Sequence, residues 1–168
     1  STPMLEERLQ ELDVVLEDGF IGEISLGLDN WLAELSRVLQ KGFVITIDYG
    51  YSADELYSAE RSLGTVRCYY EHIVSANPYV RVGEQDITAH VDFTSLMKKG
   101  ELHGLETLGF TTQGNFLKNL GLDGFHKALT VRELSYHERL VNQMGMHELA
   151  KPEGLGNLRV LLQGKSVG

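Results

Sequence analysis

Cysteine is almost absent from this chain, since Cys68 is the only one among 168 residues. A single cysteine excludes an intramolecular disulfide, a CxxC redox motif and a thiolate zinc site built within the chain. The composition therefore fits a reducing compartment.

Long apolar runs are also missing. No stretch approaches the roughly 20 apolar residues that a transmembrane helix needs. The start of the chain carries no basic segment followed by an apolar one, which is the pattern of a secretory signal. We therefore expect a soluble chain without a membrane span.

Basic charge is scarce: 15 Lys and Arg face 24 Asp and Glu, for a net charge of -9. A general nucleic-acid binder needs clustered cations to neutralise phosphates, so the sequence predicts no nucleic-acid partner. The hydrophobic fraction of 42% and the charged fraction of 23% are those of an ordinary globular protein. We expect residues 1–168 to form a single domain.

Several catalytic signatures do not occur. The sequence contains no HExxH metal motif, no GxSxG nucleophile elbow and neither of the glycine-rich nucleotide loops. Asp86, His90 and Asp92 lie close together, but no third ligand follows at a diagnostic spacing. We predict no metal site, and we prefer hydrogen bonding within the loop as the explanation of these three residues.

Hydrophobic periodicity predicts an α/β fold. Thr2 and Pro3 are typical of a helix start, and a clearer apolar stripe predicts a helix over 28–39. The apolar run 43–47 then predicts a strand buried on both faces. Helix, glycine and buried strand form an α/β unit, so we expect a largely parallel sheet covered by helices.

The elements after this strand are shorter. Ser52 and Glu55 form a capping-box pattern for a short helix, and 66–70 is a candidate strand within a long excursion over 61–92. We predict helices over 93–99 and 116–120 and strands over 108–112 and 158–162. Thr130 and Glu133 form a second capping box, which predicts a helix beginning there.

Polar and aromatic groups follow the buried strand. Asp48 ends it at a carboxyl edge, where α/β sheets usually bind their ligands, although Asp also caps turns. Arg67 and His72 could bind a carboxylate or form surface salt bridges. The tyrosines could line a pocket or pack in the core: Tyr49, Tyr51, Tyr69 and Tyr70.

Four short sequence strings are more informative about the family than the hydrophobic periodicities are. The chain closely resembles the MidA family of S-adenosylmethionine-dependent methyltransferases in GFVITIDYGY at 42–51, GTVRCY at 64–69 with His72, GEQDITAHVDFT at 83–94, and GFTTQ at 109–113 with Phe116 and Leu117. The resemblance runs from about Gly22 to the final strand. It covers only the later part of the family's usual length.

This resemblance implies the C-terminal part of a class I, Rossmann-like methyltransferase: a short mixed sheet flanked by helices. The strands would be the fifth to seventh of the family's sheet, with a substrate-side insertion at about 51–104. The cofactor, S-adenosylmethionine, would be bound mostly by an upstream half, and we assign no cofactor-binding residue here. The chain alone is expected to be inactive.

The resemblance also implies arginine N-methylation of a protein substrate, because the family includes a mitochondrial member that dimethylates an arginine of a respiratory complex I subunit. The protein would be cytoplasmic in a bacterium and in the mitochondrial matrix in a eukaryote. On this basis we assign catalytic roles to Asp48, Asp86 and His90. We assign substrate binding to Tyr49, Gly50, Arg67, His72 and Gln85.

Two expectations lie outside catalysis. A non-catalytic interaction module or assembly factor derived from the methyltransferase fold is the alternative function. If strand 43–47 lacks its upstream neighbour, its unpaired hydrophobic edge predicts a homodimer formed through that edge.

Overall fold

The computed structural model describes residues 3–167, so the predicted cap Thr2 lies outside it. Within these residues the helices are α1 Pro3–Leu12, α2 Leu28–Val38, α3 Ala53–Leu56, α4 Phe93–Leu102, α5 Gln113–Asn119, α6 Leu122–Val131 and α7 Tyr136–Ala150. The strands are β1 Gly42–Asp48, β2 Gly50–Tyr51, β3 Arg67–Tyr70, β4 Ile73–Ser75, β5 Asp86–Thr88, β6 Val91–Asp92, β7 Glu106–Thr112 and β8 Arg159–Lys165. No helix in this part of the chain combines the length and apolarity that crossing a bilayer demands.

The main sheet has the strand order β1-β8-β7. Strand β8 is antiparallel to both neighbours, with Asp48 opposite Arg159 on one side and Thr112 opposite Arg159 on the other. The expectation of a largely parallel sheet is therefore wrong for the described residues. β1 and β7 do run in the same direction, but β8 lies between them and takes their hydrogen bonds.

Strand β1 has one covered face and one open face. Phe43, Ile45 and Ile47 are 60%, 53% and 46% exposed, whereas Val44 and Thr46 are partly buried. The prediction of burial on both faces is thus wrong in this structure. The physical reason is that β1 is an edge strand here and the helices α2 and α4 pack against only one of its faces.

The core lies under that covered face. Leu32 of α2, Phe93 and Leu96 of α4, Leu105, and Leu161 of β8 form one buried cluster. Burying side chains of this size contributes about 1.5–3 kcal/mol each. This cluster therefore holds α2 and α4 against β1 and β8 and supports the loops that follow β1.

The excursion over 61–92 forms its own small sheet, of order β4-β3-β5. The candidate strand at 66–70 is confirmed as β3, and Cys68 at its centre is fully buried. Glu71 and His72 join β3 to β4 with φ values of 46° and 66°. Positive φ at both central residues is the two-residue hairpin geometry that matches strand twist. The insertion boundaries of 51–104 stay a prediction.

The second capping box was predicted at the wrong position. Helix α6 continues through Thr130, whose hydroxyl donates to the Lys127 carbonyl at 2.7 Å. The box is instead formed by Ser135 and Glu138, which begin α7: the Glu138 amide donates to Ser135 Oγ and the Ser135 amide donates to Glu138 Oε2. The presence of two capping-box patterns five residues apart explains the error.

We predict that Ser135→Ala lowers the free energy of unfolding by about 1 kcal/mol, because an N-cap alanine leaves the first-turn amides of α7 without their acceptor. Thr130→Ala is the matched control and should change stability by less than about 0.5 kcal/mol. Urea denaturation of both variants checks this, and equal losses would contradict the assigned cap.

Candidate functional site

A cavity of about 510 Å³ opens at the carboxyl end of β1. Thr46 and Asp48 of β1 form one wall, and the segment before α2 supplies Glu23. Other side chains of the lining come from α1, α2, the end of α3, the chain leading into α4 and α4 itself: Arg8, Trp31, Tyr57, His90, Asp92 and Ser95. Ligand sites of α/β sheets usually lie at this edge.

Close backbone packing brings β2 and β6 together beside this cavity. The strands are parallel, with Gly50 opposite Val91 and Tyr51 opposite Asp92. A Cβ at Gly50 would overlap the Val91 carbonyl oxygen and the Phe93 ring. Gly50 is therefore required by packing, which explains its place in the sequence independently of any contact with substrate.

The carboxylate of Glu23 ties two distant segments together. It accepts hydrogen bonds from the Thr65 amide at 3.0 Å, the Val66 amide at 3.1 Å and the Thr65 hydroxyl at 2.9 Å. Hydrogen bonds to a charged acceptor contribute more than neutral ones, roughly 1.5–3 kcal/mol each. Glu23 thus anchors the start of the excursion to the edge of the cavity.

The hydroxyl of Thr65 connects Glu23 to His90 through two hydrogen bonds. While its hydroxyl donates to Glu23, the same oxygen accepts from the His90 amide at 2.9 Å. The imidazole lies between two aromatic rings, 6.2 Å from the Tyr49 centroid and 5.4 Å from the Tyr51 centroid. His90 is therefore fixed both through its backbone and through its ring.

The state of the His90 ring follows from its surroundings. Burial lowers the pKa of His90, and the cations Arg61 and Arg67 lower it further, against the smaller opposite influence of Glu23 and Asp48. Its Nδ1 is buried and without a hydrogen-bond partner among the described residues. At neutral pH the ring is therefore uncharged, and one of its two nitrogens carries no proton.

Three cavities meet at His90. Besides the first, a cavity of about 440 Å³ is lined by Tyr49, Gly50, Tyr51 and the acids Glu148 and Glu153. A third, of about 490 Å³, is lined by Glu60, Arg61, Thr65 and Arg67. Because His90 lines all three, it is the residue that a ligand crossing between them would contact.

The acids of the first cavity differ in how far they are engaged. Asp92 caps α4, accepting from the Ser95 amide at 3.0 Å and from the Ser95 hydroxyl at 2.6 Å. Asp48 is exposed and accepts at Oδ1 from the Tyr49 amide at 2.7 Å. Tyr57 donates to the Glu23 carbonyl, and its pKa is raised by burial and by Asp92 and Glu23, so it stays a donor.

The structure brings together some of the predicted site residues. Asp48 and His90 share the first cavity, Tyr49 and Gly50 line the second, and Arg67 lines the third. Asp86, by contrast, is an exposed residue of β5 opposite Tyr69 and lines none of the three.

His72 and Gln85 are also placed away from these cavities. His72 is part of the β3–β4 turn. Gln85 donates from Nε2 to the carbonyls of Asn77 and Val80, at 3.2 and 2.7 Å. Gln85 thus closes the loop over 77–85, a structural role that its residue type did not reveal.

Sequence reasoning did not assign roles to Glu23, Thr65, Tyr57 and Asp92. Thr65 and Asp92 lie within the strings of the resemblance, which was the available signal for them. Glu23 and Tyr57 carry no local signal, because their partners lie 42 and 34 residues away in the chain. Only the folded structure shows that they belong to the site.

Comparison with known proteins identifies the family. A family model described as "Putative S-adenosyl-L-methionine-dependent methyltransferase" matches residues 1–111. The chain belongs to this family. No match was found among curated proteins.

Two solved structures from Burkholderia thailandensis are similar to this chain. One is an uncharacterized protein, with a TM-score of 0.85 and 26% identity over 98% of this chain and 44% of its own. The other is described as a "likely methyl transferase" bound to S-adenosyl-homocysteine, with a TM-score of 0.81 and 27% identity over 96% of this chain and 41% of its own. The predicted methyltransferase-like α/β class is confirmed, and this chain spans less than half the length of either structure.

The described residues do not fit a complete site for S-adenosylmethionine. Adenosine cofactors of α/β folds are held by a glycine-rich turn between a strand and a helix. In residues 3–167, β1 leads into Tyr49 and Gly50 and β7 leads into Gln113 and Gly114, and neither is a G-x-G-x-x-G turn.

We predict that Glu23→Gln lowers the free energy of unfolding by about 1–3 kcal/mol, because the amide nitrogen replaces an acceptor and faces the donors of Thr65. The exposed Glu17→Gln is the matched control, since it removes the same charge and should cost less than about 0.5 kcal/mol. Denaturant titrations measure both. Similar values for the two variants would show that the Glu23 hydrogen bonds do not hold the excursion.

The lowered pKa of His90 predicts a pH-dependent stability. Above the ordinary value of 6.5, His90 is uncharged in both the folded and the unfolded chain and contributes nothing. Below 6.5 the unfolded chain binds more protons at this residue, so the folded state loses stability as the pH falls towards the lowered value. His90→Gln should remove this component, so its stability relative to wild type should improve as pH is lowered. The exposed His126→Gln is the control, and parallel curves for wild type and His90→Gln would contradict the prediction.

Proposed function

We propose that this chain is the substrate-side part of a protein arginine methyltransferase that uses S-adenosylmethionine. The observation that carries the proposal is the juxtaposition of an exposed carboxylate, Asp48, and an uncharged imidazole, His90, on one cavity at the end of β1. An arginine methyltransferase has to hold a guanidinium and accept a proton, and these two groups are suited to those tasks.

The charge of the cavity supports a cationic ligand. Three carboxylates line it, from Glu23, Asp48 and Asp92, against one guanidinium, that of Arg8. Arg8 is already paired with Asp29 at 2.8 Å and lies 3.4 Å from Glu11. The excess of negative charge favours a cation such as the planar guanidinium of arginine, which matches carboxylate geometry.

The two residues have different roles in this proposal. Asp48 orients the guanidinium of the target through a charge-assisted hydrogen bond. The uncharged imidazole of His90 accepts the proton that the target nitrogen loses. Tyr57 stays protonated and donates a hydrogen bond to the Glu23 carbonyl, which stabilises the neighbouring wall of the cavity.

The methyl donor, in this proposal, is bound mainly by residues outside this chain, and the chain alone is inactive. Two facts support this: the solved relatives are more than twice as long, and one of them is bound to S-adenosyl-homocysteine. The resemblance to the MidA family extends the proposal to a respiratory complex I subunit as the substrate. It also extends it to a mitochondrial location in a eukaryotic source and a cytoplasmic one in a bacterial source.

One observation favours a second candidate, a non-catalytic interaction module. The small sheet of the excursion exposes Ile73, Val74 and Ile87 at 62%, 54% and 56%. Exposed apolar side chains such as these, which lie on both faces of the small sheet, can contact a protein partner. Cofactor binding distinguishes the two functions.

Calorimetric titration with S-adenosylmethionine and S-adenosyl-homocysteine tests the proposal on this chain and on a longer chain that adds the upstream half implied by the resemblance. We expect binding to the longer chain only. Tight binding to the short chain would contradict our placing of the cofactor, and absence of binding in both would favour the interaction module.

In the longer chain, we predict that His90→Gln lowers the rate constant of methyl transfer about 100-fold, the lower range of what a general base contributes. Asp48→Asn should lower it about 10-fold, since it weakens one charge-assisted hydrogen bond. A single-turnover methylation assay on an arginine peptide measures both. Asp86→Asn is the matched carboxylate variant, because Asp86 is an exposed strand residue away from the cavities. An equal loss of rate in this variant would support the catalytic role that the resemblance implied for Asp86 and contradict the site described here.

A further inference from the structure

His90 separates two cavities of opposite charge. The first contains the carboxylates of Glu23, Asp48 and Asp92. The third contains the guanidinium groups of Arg61 and Arg67 and a single acid, Glu60. A ligand that passes over His90 therefore meets negative charge on one side and positive charge on the other.

The two arginines of the third cavity are not equivalent. Arg61 is built into the fold: its guanidinium lies 3.8 Å over the Tyr51 ring, and its Nη1 donates to the Glu55 carbonyl at 2.8 Å and to the Ser58 hydroxyl at 3.3 Å. Its side chain is 24% exposed. Arg61 therefore supplies fixed positive charge to the cavity and holds Tyr51 beside His90.

Arg67 is the cation that a ligand can reach. It is exposed, and its Nη1 donates to the Val66 carbonyl at 2.7 Å. The described residues place no carboxylate within salt-bridge distance of it, whereas Arg61 has Glu60 at 3.9 Å. A guanidinium has five N–H donors, so Arg67 keeps most of them for an acceptor outside the chain.

We propose that the third cavity is a specificity subsite, in which Arg67 binds an acidic side chain of the protein substrate located near the target residue in sequence. This inference rests on the proposed function, in which the target arginine enters the first cavity. The substrate segment would thus carry a cation and an anion on either side of His90. Charge complementarity of this kind selects among partners more than it raises affinity.

The shared wall limits the spacing of the two charges in the substrate. Since His90 lines both cavities, we expect the acid to lie near the arginine in the substrate sequence. Four extended residues span at most about 14 Å, so separations of one to four positions sample short spacings on either side of His90.

A peptide series tests the subsite. Each Gly/Ser dodecapeptide carries one Arg and one Asp, with the Asp placed one to four positions before or after the Arg, and its matched control has Asn in place of Asp. Fluorescence anisotropy at low salt measures the dissociation constant for this chain. In the best register, the Asp peptide should bind about 3- to 5-fold tighter than its Asn control, as is typical of an exposed ion pair.

Charge reversal identifies Arg67 as the contact. Arg67→Glu should lose the preference for Asp and bind the corresponding Lys peptide more tightly than the Asn peptide. Arg132→Glu, a change of the same charge at an exposed residue after α6, is the matched control and should keep the preference for Asp. Far-UV circular dichroism confirms that both variants are folded.

Two results would overturn the subsite: Asp and Asn peptides that bind equally in every register, or an equal effect of Arg67→Glu and Arg132→Glu, which would reflect net charge alone. Both are measured by binding, without methyl transfer. A longer chain that binds cofactor but never methylates arginine would refute the proposed function while the charge preference at Arg67 persisted. Loss of the preference with arginine methylation intact would refute the subsite alone.

Discussion

The carboxylate of Glu23 is the constraint on which the candidate site depends. It binds two backbone amides and a hydroxyl of the segment at Thr65 and Val66, more than 40 residues further along the chain. Thr65 in turn accepts the amide of His90. Without this relay the excursion would be held near the end of β1 by the short β2–β6 pairing and by the backbone contact of Ile21 with Ser62 and Leu63. Glu23 thus acts together with the rings of Tyr49 and Tyr51 to position the imidazole relative to Asp48.

The position of β8 between β1 and β7 makes β1 an edge strand of the main sheet. By pairing with both β1 and β7, β8 satisfies one edge of each strand and leaves the other edge of β1 unpaired in the described residues. The Phe43, Ile45 and Ile47 side chains are open to solvent at the same strand. Exposed apolar edge strands are association surfaces, which is the physical basis of the homodimer prediction. The covered face of β1, by contrast, is packed by α2 and α4 and gives the cavity a rigid wall.

The sequence predicted the elements with strong local signals, and the structure confirms them. The apolar stripe of α2 and the β-branched run of β1 are determined by neighbours in the chain, so periodicity found them. The order of the sheet and the open face of β1 depend on β8, which comes more than 100 residues later, and no local pattern encodes that pairing. The site shows the same division. Asp48 was found because it ends a strand, whereas Glu23 and Tyr57 act through partners that only folding brings near. The error at Thr130 arose because the chain contains two capping-box patterns five residues apart, and α6 continues through the first.

In the proposed site, the charges around His90 also link substrate recognition to the protonation of the His90 ring. Burial, Arg61 and Arg67 lower the pKa of His90, while Glu23 and Asp48 oppose them. A guanidinium bound at Asp48 would offset one of the acids that raise this pKa, and an acidic side chain bound at Arg67 would offset one of the cations that lower it. In the proposed reaction, a substrate that carried only the arginine would thus lower the basicity of the imidazole that accepts its proton. A substrate that also carries the acid would offset this decrease in the pKa of His90, because its two charges act on His90 with opposite sign. The arrangement of the cavities therefore favours the same charge pattern for binding and for proton transfer.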